Sequence, residues 1–348
     1  MHSIYKYLVI LLLQIVLFTS CNNTNNTIGY CAPSFPKQSN LEVSSLNADY
    51  PFRYAYRTLI YDSLLIVATL NEENHIAVFN RHSGDLIKEF GKKGDAPDDL
   101  ITPTEYSIDC LTGNLYINDY GLQSVVCYDL NRINDEDFST YKKIKFSHSF
   151  KGLNSILHLK DTLFISPNYS SRFLIASPKC IINDIHSPIG DEHKFSNEIE
   201  WNLFMKDYGC HTVSPDGNHW ASGTFFGGIL EIFGKDYDTT KYLGIKRFYE
   251  PIFNKNEHLY VENEETIGGF SYLNATDKYI YATVFGTTSP QTFPTQIWKL
   301  DWDGTPIEVL HSNGFPIDCF SVCEEEGIIY AITTNEDGEQ SIIKMTIK

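Results

Sequence analysis

Long stretches with helical periodicity are absent from this 348-residue sequence, and so is any alternation of strand and helix patterns. These absences argue against helical bundles and against parallel α/β folds. The motifs G-x-S-x-G, H-E-x-x-H and G-x-x-x-x-G-K-[ST] are also missing, so the chain offers no nucleophile elbow, zinc-protease helix or phosphate-binding loop. Basic residues number 27 against 44 acidic ones, and the formal charge of −17 disfavours nucleic acid and anionic membrane surfaces as partners.

Methionine is scarce as well, with 3 residues against 22 Tyr and 22 Phe. Aromatic and β-branched residues form short runs bounded by Gly, Asn or Asp, which is typical of antiparallel strands joined by tight turns. Residues 91–130 show this pattern most clearly, with runs that end at Asp119 and Asp129. The sequence therefore predicts an all-β protein.

A loose repeat extends through the rest of the chain. Six short apolar runs begin at intervals of roughly 50 to 60 residues, close to the length of a propeller blade. The sixth unit has only three strand patterns before the chain ends, and residues 41–45 supply a candidate fourth strand. We predict a six-bladed β-propeller over residues 39–348, closed by this N-terminal strand. A β-sandwich is the alternative, but two stacked sheets need no sixfold repeat.

Residues 1–20 combine Lys6 with an apolar run that ends at Phe18 and is followed by small residues, which is typical of a secretory signal. The segment LFTSC at residues 17–21 resembles a bacterial lipoprotein signal and implies that Cys21 carries a lipid. The alternative is an ordinary cleaved signal in which Cys21 is incidental. An Asn- and Thr-rich run follows, so we predict a flexible tether over residues 21–38.

Two further segments carry a family resemblance. The first is EFGKKG at residues 89–94, followed by Pro97 and the strand patterns LYIND and VCYD; the second is the SPDG turn at residues 214–217. Both resemble the TolB-like six-bladed propeller lipoproteins of Bacteroides-type bacteria. The resemblance implies a propeller in the cell envelope, lipid-anchored and facing the periplasm or the cell surface, with the outer membrane expected. It transfers no catalytic residue to this chain.

Propeller geometry sorts the loops onto two faces. Connections between second and third strands and connections between blades share one face, called here the long-loop face because its loops are long. The other connections share the short-loop face. Binding residues usually lie on long loops of a rigid scaffold. We therefore predict ligand contacts on the long-loop face, with the candidate residues Asp119, Tyr120, Tyr169, Phe225 and Phe226. Aromatic rings there would grip sugars or peptides, or alternatively pack the loops onto the blades.

The inner strands predict a second candidate site. Their starts should bring four polar side chains towards the central channel: Glu105, Asn154, His211 and Asp318. Such ligands could hold Ca²⁺ and polarise an ester. The alternative is a wet polar channel without an ion.

The leading hypothesis is a non-enzymatic, lipid-anchored binding module without a cofactor, whose partner is a glycan, a peptide or an envelope protein. A calcium-dependent hydrolase or lactonase is the competing hypothesis. A structural subunit of an envelope complex is the third. The seven cysteines besides Cys21 are odd in number and irregularly spaced, so they predict no disulfide framework.

Overall fold

The computed structural model describes residues 29–46, 50–71, 73–146, 155–161, 163–167, 172–186, 209–236, 239–256, 259–262, 264–288 and 293–347. Across these ranges the regular secondary structure is β-strand, apart from one 3-10 turn at Leu130–Arg132. No helix in this described part of the chain is long and apolar enough to cross a membrane. The prediction of an all-β fold is confirmed.

Six sheets follow one another along the chain as the blades of a propeller. Two strands precede the first blade: β1 (Lys37–Asn40) and β2 (Glu42–Ser45). Blades 1 and 2 contain β3 (Ala55–Tyr61), β4 (Leu64–Thr69), β5 (Asn74–Asn80), β6 (Leu86–Lys92), β7 (Pro103–Asp109), β8 (Asn114–Asp119), β9 (Ser124–Asp129) and β10 (Lys142–Ile144). Blades 3 and 4 contain β11 (Leu157–Lys160), β12 (Leu163–Pro167), β13 (Phe173–Ala176), β14 (Ile181–Ile185), β15 (Gly209–Val213), β16 (His219–Thr224), β17 (Ile229–Asp236) and β18 (Thr239–Arg247).

The connection from blade 4 to blade 5 forms a separate hairpin of β19 (Phe253–Asn256) and β20 (Leu259–Glu262). The last two blades contain β21 (Phe270–Ala275), β22 (Tyr279–Val284), β23 (Gln296–Asp301), β24 (Pro306–His311), β25 (Cys319–Cys323), β26 (Ile328–Thr334) and β27 (Gln340–Thr346). Blade 6 therefore has three strands of its own. Strand β2 supplies the fourth by pairing antiparallel with β27, with Glu42 opposite Thr346. The predicted six-bladed ring and its N-terminal closing strand are confirmed.

The segment before β2 also contacts the propeller. Strand β1 pairs in parallel with β24 and becomes a fifth strand of blade 5. Upstream, the backbone N–H of Cys31 donates to the carbonyl of Arg247 in blade 4 (2.9 Å). The ring of Phe35 lies 5.2 Å from that of Trp298. Contacts with the blades therefore begin before the predicted domain boundary at residue 39, because Phe35 packs on an apolar surface and β24 offers a pairing edge.

The hydrophobic core lies between neighbouring blades. Every residue of β4 is buried, because each blade is packed between two others and its second strand has no solvent-facing side. One cluster joins Val67 and Phe79 of blade 1 to Ile329 and Ile332 of blade 6, all fully buried. Full burial of side chains of this size contributes about 1.5–3 kcal/mol each. The seven cysteines outside the signal region are free thiols.

The SPDG turn joins β15 to β16 and needs its glycine. Gly217 has φ +66°, and a Cβ atom there would lie 2.0 Å from the carbonyl oxygen of Leu159 in blade 3. The Asp216 carboxylate accepts a hydrogen bond from the Ser214 hydroxyl (2.6 Å) and another from the backbone N–H of Asn218 (2.9 Å). The motif therefore fixes a tight turn and a close approach between two blades.

Candidate functional site

The predicted binding residue Asp119 ends β8 and is fully buried. Its carboxylate accepts hydrogen bonds from three backbone N–H groups, those of Ile101 (2.8 Å), Thr102 (3.1 Å) and Leu122 (2.9 Å). Both carboxylate oxygens are thus occupied, and they hold the blade-connecting loop against blade 2. Tyr120, the next residue, is 40% exposed on the long-loop face.

Phe225 and Phe226 form the loop between β16 and β17, also on the long-loop face. The ring of Phe225 meets that of Phe226 at 5.2 Å and that of Phe285 at 5.5 Å, both edge to face. Gly227 turns the chain beside them with φ +68°, and a Cβ atom there would lie 2.8 Å from the backbone nitrogen of Pro251. Phe225 and Phe226 are both half-buried. The three rings therefore pack on one another as well as on the loop surface.

Around the central channel, the third residue of four inner strands forms a ring of large side chains. These residues are Arg57 in β3, Glu105 in β7, His211 in β15 and Tyr272 in β21. Nη2 of Arg57 lies 2.7 Å from Oε2 of Glu105, and its guanidinium carbon lies 5.7 Å from the centre of the Tyr272 ring. In β3, β7 and β21 the pairing register shifts between the first and third residues, and such bulges re-aim the side chains that follow.

The channel ring carries no net charge. Burial raises the pKa of the Glu105 carboxyl, and the Arg57 guanidinium opposes that rise. Burial lowers the pKa of His211 to about 3, and the charges of Arg172 and Arg57 add to this effect, so the imidazole is neutral at physiological pH. Within the described residues, Nε of Arg57 and Nδ1 of His211 are buried without a hydrogen-bond partner. The ring therefore combines one ion pair, one neutral imidazole and unmet hydrogen-bonding capacity.

Asp318, a third predicted metal ligand, supports the junction between blades 6 and 1. Its Oδ2 accepts hydrogen bonds from Nε2 of Gln340 (2.7 Å) and from the Thr334 hydroxyl. The Gln340 side chain in turn donates to the carbonyl of Ala55 (3.0 Å) and accepts from its N–H (2.5 Å). The Gln340 side chain thus bonds to the backbone of β3 as a neighbouring strand would, and it links blade 6 to blade 1.

The structure brings Glu105 and His211 to the channel. It also places the positively charged Arg57 there, which was not predicted from the sequence. Arg57 faces Glu105, and its positive charge would repel Ca²⁺ at this position. Within the ranges described, no three His, Cys, Asp or Glu side chains are grouped closely enough to hold a metal ion. Asn154, Tyr169 and Cys21 lie outside the described residues, so calcium and lipidation stay predictions. No motif in the sequence marks Arg57 as a channel residue.

A cavity of about 220 Å³ occupies the channel between this ring and the short-loop face. Its inner end is lined by Arg57, His211 and Tyr272. Its outer end is lined by the turns that join inner strands to second strands, at residues 109–112, 160–161 and 214–216. The cavity therefore opens on the face opposite to the one that loop length favours.

Half of the exposed large apolar side chains of the described residues, in contrast, lie on the long-loop face. Twelve large apolar side chains of the described chain are exposed, and six of them lie in long-loop-face loops. We call these six the apolar arc: Tyr54, Leu70, Ile101, Tyr120, Phe293 and Phe315. Backbone hydrogen bonds hold their loops together in pairs: Leu70 N to Tyr54 O (2.8 Å), Tyr120 N to Thr102 O (2.9 Å) and Ile317 N to Pro294 O (2.9 Å). The pairs follow one another from blade 5 through blades 6 and 1 to blade 2.

Comparisons with known proteins agree with this architecture. A family model described as TolB-like 6-blade propeller-like matches residues 34–325. No match was found among the curated proteins. A putative exported protein from Bacteroides fragilis NCTC 9343 aligns with a TM-score of 0.57 at 14% identity, over 90% of this chain and 99% of its own. A member of the duf4221 family from Bacteroides vulgatus ATCC 8482 aligns with a TM-score of 0.59 at 11% identity, also over 90% of this chain and 99% of its own.

At these identities the two solved structures support the fold alone. The family model matches well over half of the chain, from the segment before β1 into blade 6. On that match, the chain belongs to the TolB-like six-bladed propeller family.

Proposed function

We propose that this propeller is an exported binding module that recognises a peptide or protein partner through its long-loop face. The apolar arc carries the proposal. A single exposed apolar side chain is ordinary on a protein surface, whereas a concentration on one face of a rigid scaffold marks an interaction site. Backbone hydrogen bonds between the loops hold the arc in place before any partner arrives.

Four of the six arc side chains are aromatic and can stack on a sugar as well as on a protein, so the two aliphatic members decide between these partners. Leu70 and Ile101, which are 44% and 46% exposed, offer no ring on which a sugar could stack. Burial of about 50 Å² from each of six side chains would contribute about 7 kcal/mol. That value is within the range of the cost of association, about 4–15 kcal/mol. Polar contacts from the surrounding loops must therefore supply the rest of the affinity.

The proposed location outside the cytoplasm rests on residues 1–20 and on the exported protein of similar fold. We expect Cys21 to anchor the chain to a membrane through a lipid. Replacement Cys21→Ala should move the protein from the membrane fraction to the soluble fraction after cell breakage. Continued membrane retention of the Cys21→Ala protein would contradict the anchor and leave the binding proposal to its own test.

The binding proposal is tested with two matched double variants. Ile101→Ser/Tyr120→Ser alters the arc, and Leu86→Ser/Leu243→Ser removes side chains that are equally or more exposed but lie on the outer strands β6 and β18. Each immobilised protein is incubated with envelope extract, and retained proteins are quantified by mass spectrometry. We expect a specific partner of the unaltered propeller to be lost by the arc variant and kept by the control. Equal retention by both variants would refute the use of this face.

A further inference from the structure

We propose that the channel cavity is a second binding site, which takes a small, neutral, hydroxyl-rich molecule no larger than a monosaccharide. The cavity lies on the short-loop side of the ring of Arg57, Glu105, His211 and Tyr272, away from the apolar arc. The proposal is therefore independent of the partner proposed for the long-loop face.

The cavity has an open mouth and a polar inner end. At the mouth, Leu111, Thr112 and Asp161 are solvent-exposed turn residues, so a solute has access from the short-loop face. At the inner end, His211 is 6% exposed and lines the cavity together with Arg57. A small solute that enters from the mouth would therefore meet these two side chains.

Two buried polar atoms at the inner end have unmet hydrogen-bonding capacity. Nδ1 of His211 and Nε of Arg57 have no partner among the described residues. Buried polar atoms are almost always hydrogen-bonded, because leaving one unsatisfied forfeits the hydrogen bonds that it makes in water. A cavity of about 220 Å³ would hold about seven water molecules, at about 30 Å³ each. A ligand that displaces such waters must reproduce their hydrogen bonds.

Hydroxyl groups meet this requirement best. Nε of Arg57 can only donate, while Nδ1 of His211 donates or accepts according to its tautomer. A hydroxyl group both donates and accepts, so it fits either tautomer. The rings of Tyr106 and Tyr272 also line the cavity and offer apolar surface to the carbon face of a polyol or sugar.

The charge balance at the inner end selects an uncharged ligand. Arg57 and Glu105 neutralise each other at 2.7 Å, and the imidazole of His211 is uncharged. A carboxylate or ammonium group would have to lose its hydration here without gaining a free counter-charge, which is costly in a buried site. A neutral molecule has no such penalty.

The unaltered protein provides the first test. Four probes of similar size are titrated by calorimetry: D-glucose and myo-inositol, which are neutral, D-glucuronate, which is anionic, and D-glucosamine, which is cationic. We expect at least one neutral probe to bind about tenfold or more tightly than both charged probes, equivalent to about 1.4 kcal/mol. Binding of no neutral probe at millimolar concentration, or preference for a charged one, would overturn the proposal.

A pair of histidine variants then locates the site. His211→Phe removes Nδ1 from the cavity, while His219→Phe changes a histidine that stacks on Trp302 outside the cavity lining. We expect His211→Phe to weaken the best neutral probe about tenfold, as loss of one hydrogen bond predicts, and His219→Phe to leave it unchanged. Arg57→Lys, which keeps the charge and removes Nε, should weaken binding similarly if His211→Phe fails to fold. Unchanged affinity in the folded channel variant would refute the site.

Discussion

Replacing Arg57 and replacing Glu105 both break their ion pair, but we expect the two changes to affect the free energy of unfolding differently. The two side chains are 18% and 14% exposed, and their charged atoms lie 2.7 Å apart. Removal of one partner from a buried pair costs about 3–5 kcal/mol, because the remaining charge is left uncompensated. Glu105→Gln leaves a guanidinium that cannot lose its proton, so lowering the pH from about 7 to about 5 should not relieve this loss.

Arg57→Met leaves a carboxyl group that can take up a proton. Burial already raises the pKa of Glu105, and removal of the opposing Arg57 charge should raise it further. A group whose pKa is higher in the folded state stabilises the fold below its unfolded pKa and loses that contribution as pH rises. The cost of Arg57→Met should therefore be about 3 kcal/mol at about pH 7 and clearly smaller at about pH 5.

The double variant Arg57→Met/Glu105→Gln completes the cycle. Because it leaves no unpaired charge, its stability should lie within about 1 kcal/mol of the unaltered protein. The assay is urea unfolding at both pH values. Arg132→Met, which removes an exposed pair with Asp135, serves as the control and should have no measurable effect. Additive costs in the double variant, or a pH-independent cost for Arg57→Met, would refute this account of the channel.

Three further outcomes follow from the fold. Folding lowers the pKa of His211 from 6.5 to about 3, so below about pH 6.5 this residue is protonated in the unfolded chain but not in the folded one. The free energy of unfolding should therefore fall by about 1.4 kcal/mol per pH unit below about pH 6.5. Denaturant unfolding of His211→Phe should lack this contribution to the pH dependence. Gly217→Ala should lower the melting temperature by several degrees, because its Cβ would meet the carbonyl of Leu159; Gly338→Ala, also at positive φ but without a neighbour within 4 Å, should lower it less. Deletion of residues 29–46 should expose the edge of β27 and produce oligomers in size-exclusion chromatography, whereas a monomer of unchanged melting temperature would contradict the role of β2.

The repeat in the sequence was sufficient to predict the fold, because each blade requires the same short apolar strands. Runs such as residues 64–69 are buried on both faces, and this makes them visible as apolar stretches. The closing strand was also predictable, since blade 6 was one strand short. The sequence was less informative about the channel. Glu105 and His211 lie near the channel, but their role as ligands stays a prediction, and Arg57 was not predicted.

Bulges at the starts of inner strands make the channel-facing position hard to predict from the sequence, for Glu105 as well as for Arg57. Register shifts between Ala55 and Arg57, and between Phe270 and Tyr272, change which side chain faces the channel, and no residue type marks them in advance. The buried carboxylate of Asp119 was likewise unpredictable, because its three backbone donors come from loops rather than from a motif. Loop length identified the face with the apolar arc, but the cavity opens on the opposite face.

The pairing of β2 with β27 also determines when the protein can fold. Ser45 pairs with Ile343, so two segments that are far apart in the sequence must meet before the ring is complete. The loop-closure entropy for such a span is about 5 kcal/mol, which must be offset by apolar burial at the junction, including that of Leu41 and Leu46. Until β27 has left the ribosome, β2 has no strand to pair with and the ring stays open.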